Sequence, residues 1–500
     1  MHRKIMIQGT GSSVGKSVLV AGLCRIFAQD GFRVSPFKSQ NMALNSYVDI
    51  EGLEMGRAQV VQAEAAMEIP RAFMNPILMK PNSDNNSQII IEGKPVKNMD
   101  AQSYFSNSDY LKEIAKKNYE IIERNFDIGV LEGGGSPAEI NLREYDCVNM
   151  GMAELIDAPV ILVGNIEIGG VFAALYGTIA LLDEKDRKRI KGIVINKFRG
   201  DLELLKPGIE MLEKKLKDDG LNIQFLGVVP YEKLEIEEED VLAKKINTRE
   251  NKNADIRISV IRTDKMSNYT DFDALSHYPD VTLNYVFKAD ELGEEDIIIL
   301  PGSKSTIADL QKLKDNGIYD KVIELHNAGT VVVGICGGFQ MLGQEIRDPH
   351  KLEGDLEVIE GFGLLNTTTV MEKMKCTQQV KRELVEDLAD TILEGCENLK
   401  VRGYEIHQGV TDGNDKNITL EGGYIFVAKE NIFGTYIHGI FDNEKFTRNF
   451  LNNIRKRKGL EPLDYSFSFS EFKENEYNKL ANLVRENLDM SKVYKIMQGN

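Results

Sequence analysis

The chain has 500 residues, of which 42% are hydrophobic and 28% charged, with a formal net charge of −17 at pH 7. This length provides about two to four domains, with ample apolar material for packed cores. The acidic balance excludes non-specific binding to nucleic acid or to anionic membrane surfaces. Five scattered cysteines (Cys24, Cys147, Cys336, Cys376 and Cys396) form no CxxC pair and no metal-ligand spacing, a usage expected of a reducing cytoplasm. No apolar run approaches the ~20 residues that span a bilayer. The N-terminus enters a strand with no secretory apolar region, so a soluble cytoplasmic protein is expected.

The first apolar run, Ile5-Met6-Ile7, predicts a strand. It leads into Gly9-Thr10-Gly11-Ser12-Ser13-Val14-Gly15-Lys16-Ser17 and then a helical segment. Strand, glycine-rich turn and helix are the context of a phosphate-binding loop. Backbone N–H groups cradle phosphate oxygens and the helix N-terminus favours negative charge. Lys16 would reach the β- and γ-phosphates of ATP, and Ser17 would bind Mg²⁺. The usual motif places glycine five residues before Gly15, where this chain has Thr10; Gly9 stands six before it. Such loops also arise by chance in linkers, but the preceding strand and the Gly-Lys-Ser ending favour nucleotide binding.

Further runs at Ile128-Gly129-Val130-Leu131, Val160 to Val163 and Ile193 to Ile195 alternate with helical patterns as far as about Pro230. Near-continuous hydrophobic strands between helices predict a parallel sheet covered on both faces. Polar clusters at the strand ends mark the ligand edge of such a sheet. Pro36 to Asn41 follows the second strand. Glu132, before Gly133-Gly134-Gly135, is placed to be a second Mg²⁺-linked carboxylate. Asn196-Lys197 is placed to contact the nucleotide base. Each cluster alone reads equally as loop chemistry; it is their joint placement that counts. Residues 233–253 are charged and read as a solvated connector.

A second α/β series begins at Ile256 to Ile261, continues through Ile297 to Leu300 and Val331 to Val333, and ends near Asn443. After its third strand comes Gly334-Ile335-Cys336-Gly337-Gly338-Phe339-Gln340. A cysteine at a sharp strand-to-helix turn between glycines is how an α/β fold exposes a nucleophile. The helix N-terminus behind it favours thiolate. A free cysteine is more often simply buried. The segment Gly434-Thr435-Tyr436-Ile437-His438-Gly439 adds the distant histidine that thiolate catalysis requires. His407 beside Glu405 is read as structural or as part of a substrate site, not as a metal ligand, because no second His or Cys stands at ligand spacing. Residues 447–500 read as a charged, mostly helical appendage.

These segments, taken in order, resemble a known family. The six-residue loop spacing with Thr10 is similar to the dethiobiotin synthetase family of P-loop enzymes. Over nearly all of residues 1–446 the chain resembles the adenosylcobyric acid synthase family, the glutamine-hydrolysing amide ligases of cobalamin biosynthesis. The carrying segments are Phe37-Lys38-Ser39-Gln40-Asn41-Met42, Glu54-Met55-Gly56-Arg57-Ala58-Gln59, Gly135-Ser136-Pro137-Ala138-Glu139-Ile140-Asn141-Leu142, Pro301-Gly302-Ser303-Lys304-Ser305-Thr306 and Arg402-Gly403-Tyr404-Glu405-Ile406-His407.

The resemblance implies two α/β domains. One is a P-loop synthetase of parallel-sheet type over 1–232; the other is a class I glutamine amidotransferase-like domain over 254–446. It implies amidation of four carboxylates (b, d, e and g) of adenosylcobyrinic acid a,c-diamide. ATP, Mg²⁺ and glutamine are consumed or required, and no tightly bound prosthetic group is expected. The nucleotide would be held by Gly9, Thr10, Gly11, Ser12, Gly15, Lys16, Ser17 and Asn196, and Mg²⁺ by Ser17 and Glu132. Cys336 and His438 would release ammonia, with an oxyanion hole at Gly337 and in the Gly302-Ser303 turn. The partners implied are small molecules, including the corrinoid, and a homo-oligomer is compatible with the sequence.

One departure matters. Two residues after His438 stands Ile440, where ordinary class I glutaminases carry a glutamate, so no third member of the pair is named; weak orientation of the imidazole, and with it slow glutaminase activity until the synthetase side is occupied, is expected. The runner-up reaction is amidation of the a and c carboxylates of cobyrinate by the sister enzyme. A ParA-like ATP switch would explain the first half but leave Cys336 and His438 idle.

Overall fold

The computed structural model describes residues 2–81, 86–236, 254–384, 388–414, 417–420, 423–465 and 467–499. The chain divides into two compact units. The first comprises Met1–Ala43, Leu53–Asp240 and Glu471–Asn500; the second comprises Leu44–Gly52 and Val241–Ser470. The expected connector at 233–253 lies, from 237 onward, outside the described residues.

In the first unit the apolar runs become β1 (Arg3–Gly9), β2 (Val34–Phe37), β3 (Ile128–Glu132), β4 (Val160–Asn165), β5 (Ile190–Phe198) and β6 (Gln224–Pro230). They form one parallel sheet in the order β6-β5-β4-β1-β3-β2. Ile5 and Ile7 of β1, with Ile128 and Val130 of β3, are fully buried, as expected of strands covered on both faces. The helices α1 (Lys16–Gln29) and α2 (Arg57–Ala65) lie near the ligand edge. A four-stranded sheet of Gln40–Met42, Ile77–Pro81, Asn86–Ile91 and Lys94–Asp100 was not anticipated from the sequence. Its pattern gave no strict alternation to read.

The second unit holds β7 (Ile256–Ile261), β8 (Val281–Val286), β9 (Ile297–Leu300), β10 (Val331–Ile335), β11 (Thr367–Glu383), β12 (Lys400–Gly413), β13 (Asn417–Leu420), β14 (Gly423–Lys429) and β15 (Ile432–Thr435). Its main sheet runs β8-β7-β9-β10-β15-β14-β13 and is parallel from β8 through β15. The long strands β11 and β12 pair antiparallel beside it as a hairpin. The short helix α3 (Gly337–Leu342) follows β10.

Residues 447–500, read from the sequence as an appendage, divide between the two cores. From α4 (Glu444–Arg457), Phe446, Phe450, Leu451 and Ile454 join the second core. From α5 (Phe469–Asn487) and α6 (Met490–Met497), Tyr477, Leu480, Val484, Val493 and Ile496 join the first. Their apolar stripes recur at helical spacing, and such a face must be buried. Among the described residues no helix is long and apolar enough to cross a membrane.

Candidate active sites for ATP and for glutamine

At the carboxyl edge of the first sheet, β1 turns into α1 through the glycine-rich loop. Gly15 caps the helix in the left-handed region at φ 92°, which a residue without Cβ adopts freely. Lys16 Nζ donates to the carbonyls of Gly11 at 2.8 Å and Gly135 at 2.9 Å. A Cβ added at Gly11 or Gly135 would meet no protein atom within 4 Å, so there is room beside each of these glycines. Backbone N–H groups with room beside them, next to a lysine, suit a phosphate chain.

Glu132, at the end of β3, is the centre of the polar cluster. Its carboxylate accepts from Ser17 Oγ at 2.8 Å, Lys38 Nζ at 2.9 Å and Gln62 Nε2. Burial opposes its charge, but the Lys38 ammonium and these hydrogen bonds hold it below the ordinary carboxylate range. The group is therefore ionised. Ser17 and Glu132 are adjacent oxygen donors, a set that suits Mg²⁺. Asn196 Nδ2 donates to the Val14 carbonyl at 2.9 Å, and Lys197 Nζ to that of Ser13 at 2.8 Å. Both residues thus brace the loop. Lys38 and Gln62 were missed as partners of Glu132. Lys38 lies in a motif quoted for the family, but Gln62 sits in a helix with no distinguishing signal.

In the second unit, four neighbouring parallel strands bring the other group together. β10 ends at Cys336, which has φ 51° and ψ −108°. For a non-glycine residue this backbone costs about 1–3 kcal/mol, which the packing around it offsets. Gly338 makes the turn possible, because a Cβ there would lie 1.9 Å from the Leu300 carbonyl oxygen. β15, paired directly with β10, leads to His438. β9 leads to Gly302-Ser303, and β7 to the 3₁₀ turn Tyr269–Phe272.

That turn supplies what the sequence did not reveal. Asp271 Oδ2 accepts from His438 Nδ1 at 2.6 Å, and Asp271 Oδ1 accepts from the Gly439 N–H at 3.0 Å. The imidazole is therefore oriented by a carboxylate from a distant strand end, and the weak orientation inferred from Ile440 is corrected. Nε2 of His438 is buried and makes no hydrogen bond among the described residues. Burial opposes the imidazolium, yet the charge and hydrogen bond of Asp271, with Cys336 close by, raise its basicity above the ordinary histidine range. The Tyr404 ring stacks on the other side of His438, centroids 5.2 Å apart, and its hydroxyl donates to the Ser46 carbonyl.

The expected oxyanion donors also converge here. A Cβ on Gly337 would meet the Ser303 nitrogen at 2.8 Å, and one on Gly302 would meet His438 Cε1 at 3.5 Å. His407 is held by other partners. Its ring stacks on Tyr436 at 3.7 Å and its nitrogens engage Gly409 and Glu405. No pattern could have found Asp271, since an acid in Tyr269-Thr270-Asp271-Phe272 carries no motif.

Comparison with known proteins agrees with this division. A family model described as a CobQ/CobB/MinD/ParA nucleotide binding domain matches residues 5–241. One described as a CobB/CobQ-like glutamine amidotransferase domain matches residues 257–446. The chain is 49% identical over 511 aligned positions to a cobyric acid synthase of Caldanaerobacter subterraneus subsp. tengcongensis, covering 100% of this chain and 99% of that protein. It is 50% identical to one of Thermoanaerobacter sp., with the same coverage. A third, of Alkaliphilus metalliredigens, is 48% identical, covering 99% of this chain and 100% of that protein.

Proposed function

The chain belongs to the cobyric acid synthase family, and we propose that it amidates the b, d, e and g carboxylates of adenosylcobyrinic acid a,c-diamide, using one ATP and one glutamine for each. The observation that carries this reading is the pairing of a phosphate cradle beside an ionised carboxylate with a cysteine, histidine and aspartate on the same chain. Neither site alone makes an amide.

A carboxylate is a poor electrophile, so its oxygen first takes the γ-phosphoryl group of ATP and ADP leaves. The loop N–H groups and Lys16 neutralise charge on the phosphates, while Ser17 and Glu132 would hold the Mg²⁺ that supplies further charge stabilisation. Ammonia then attacks the acyl carbon and phosphate departs, leaving the amide.

The ammonia comes from glutamine. Cys336 Sγ bonds to the side-chain amide carbon, and His438 Nε2 accepts the thiol proton and delivers it to the leaving nitrogen. Asp271 holds the ring and stabilises its positive charge, as carboxylates do in hydrolase triads. The N–H groups at Gly337 and in the Gly302-Ser303 turn receive the oxyanion. Water then cleaves the thioester to give glutamate. The setting proposed for this chemistry is the cytoplasm, in keeping with five unpaired cysteines.

Purified protein incubated with the a,c-diamide, ATP, Mg²⁺ and glutamine should yield successive single amidations by mass spectrometry. If unamidated cobyrinate is the better substrate in direct competition, the sister reaction replaces this one.

Two variants test the assigned roles. Asp271→Asn should lower glutamine-dependent amidation by on the order of 10⁴-fold while leaving ammonia-dependent amidation intact. Loss of both would make Asp271 structural. Glu132→Gln should weaken amidation with either donor, with partial recovery at raised Mg²⁺. It also removes the charge opposite the buried Lys38, so thermal unfolding should reveal a loss of up to about 3–5 kcal/mol. Unchanged kinetics at low Mg²⁺ would remove Glu132 from the metal site.

A further inference from the structure

The hairpin of β11 and β12 brings together three side chains that the proposed chemistry does not use. After an irregularity between Met371 and Cys376, the ladder resumes with Cys376 opposite His407 and, two positions on, Gln378 opposite Glu405. Side chains two apart share a face of a strand, so Cys376, Glu405 and His407 converge. Their ligating atoms all lie within 4.8 Å of one another. Glu405 Oε2 is 3.0 Å from His407 Nε2 and 4.0 Å from Cys376 Sγ.

We propose that Cys376, Glu405 and His407 form a zinc-binding site. A thiolate, an imidazole and a carboxylate make the mixed sulfur, nitrogen and oxygen set that Zn²⁺ takes and that Mg²⁺ and Ca²⁺ do not. With bonds of about 2.0–2.3 Å in tetrahedral geometry, neighbouring ligands stand roughly 3.3–3.6 Å apart. Closing the set around an ion requires the widest separation, up to 4.8 Å, to shorten by roughly 1 Å, which rotation of the Cys376 side chain can supply.

The surroundings are those of metal ligands. His407 Nδ1 lies 2.7 Å from the Gly409 carbonyl, which only accepts, so this nitrogen donates. Nε2 faces a Glu405 carboxylate oxygen at 3.0 Å. Either a ring proton or a cation must lie between these two atoms. The ring is fixed by stacking on Tyr436, and the other Glu405 oxygen accepts from Gln378 Nε2 at 3.0 Å. Such outer partners orient the ligands of metal sites. Glu405 is buried while Cys376 and His407 are partly open, so an ion can enter from solvent.

Three protein ligands leave the fourth position to water. The ion would clamp the hairpin around Ile406, whose carbonyl lies 3.7 Å from Cys336 Sγ.

The test uses the full-length, chelator-treated protein titrated with Co²⁺ and then with Zn²⁺. One equivalent of Co²⁺ should give a thiolate-to-cobalt charge-transfer band that Zn²⁺ removes. The band should persist in Cys336→Ser and vanish in Cys376→Ser. Glu405→Gln should weaken binding more than about tenfold, because losing even an outer partner costs about 10–100-fold; this variant decides alone if Cys376→Ser fails to fold. Zn²⁺ should raise Tm in the parent but not in the Cys376 variant. A parent without the band, or a band that survives Cys376→Ser or is lost with Cys336→Ser, overturns the site and leaves an imidazolium–carboxylate pair in its place.

Discussion

Cys336→Ser is expected to remove glutamine-dependent amidation while ammonia-dependent amidation continues near the parent rate. In the proposed mechanism the thiolate only releases nitrogen, and the acyl phosphate forms elsewhere on the chain. Serine is nearly isosteric, so the turn after β10, with its positive φ, keeps its shape. Its hydroxyl is a far weaker nucleophile near neutral pH, and a glutaminase loss of at least ~10³-fold follows. Rescue by added ammonium salts should strengthen as pH rises, because free ammonia attacks and ammonium does not. His438→Ala should show the same split with some residual glutamine activity, since a thiol alone is a few per cent ionised at pH 7. Loss of both activities in a folded, ATP-binding Cys336→Ser protein would place the cysteine in the synthetase chemistry and end the two-site reading.

The parts of this machine that were legible in the sequence are those in which local chemistry is self-contained. The loop from Gly9 to Ser17 carries its own strand, turn and helix signals, and Cys336 carries its glycines. Both lie where the runs of β1 and β10 place them. Asp271 was invisible because its role exists only through the strand order. β7, β9, β10 and β15 are neighbours in space, but 167 positions separate Asp271 from His438. The zinc site proposed at Cys376 and His407 would meet the same limit. Ligand spacing along a chain identifies sites built on one turn or helix, whereas a hairpin pairs residues by register. The helices after residue 470 were read as surplus because charge dominates their composition. Their buried stripe of Tyr477, Leu480 and Val484 shows that spacing, not composition, determines burial.

The triad also revises the expectation about regulation. An imidazole held by Asp271 and stacked on Tyr404 is already oriented, so the lack of a glutamate at Ile440 is not itself a reason for slow glutaminase activity. If hydrolysis of glutamine is nevertheless coupled to ATP and the corrinoid, the restraint must act at glutamine entry or at the oxyanion donors.

Lys16→Ala is expected to give the opposite split. Amidation should fall by on the order of 10³-fold or more with glutamine and with ammonia alike, because both nitrogen sources wait on the same acyl phosphate. Removing one preorganised donor from developing charge typically costs about 10²–10³-fold. Here the lost group is a full positive charge on a transferring phosphoryl. The ammonium already stands between the Gly11 and Gly135 carbonyls, bonded to both. Alanine leaves the phosphates without it, and no neighbour replaces it, since Lys38 Nζ is bonded to Glu132. The cysteine, histidine and aspartate are untouched, so glutamine should still be hydrolysed to glutamate and free ammonia. The measurement is paired: corrinoid amidation by mass spectrometry with each donor, and glutamate release in the same reactions. Ammonia-driven product at near the parent rate would show that the loop does not activate the carboxylate, and the ATP site would have to be sought elsewhere in the chain.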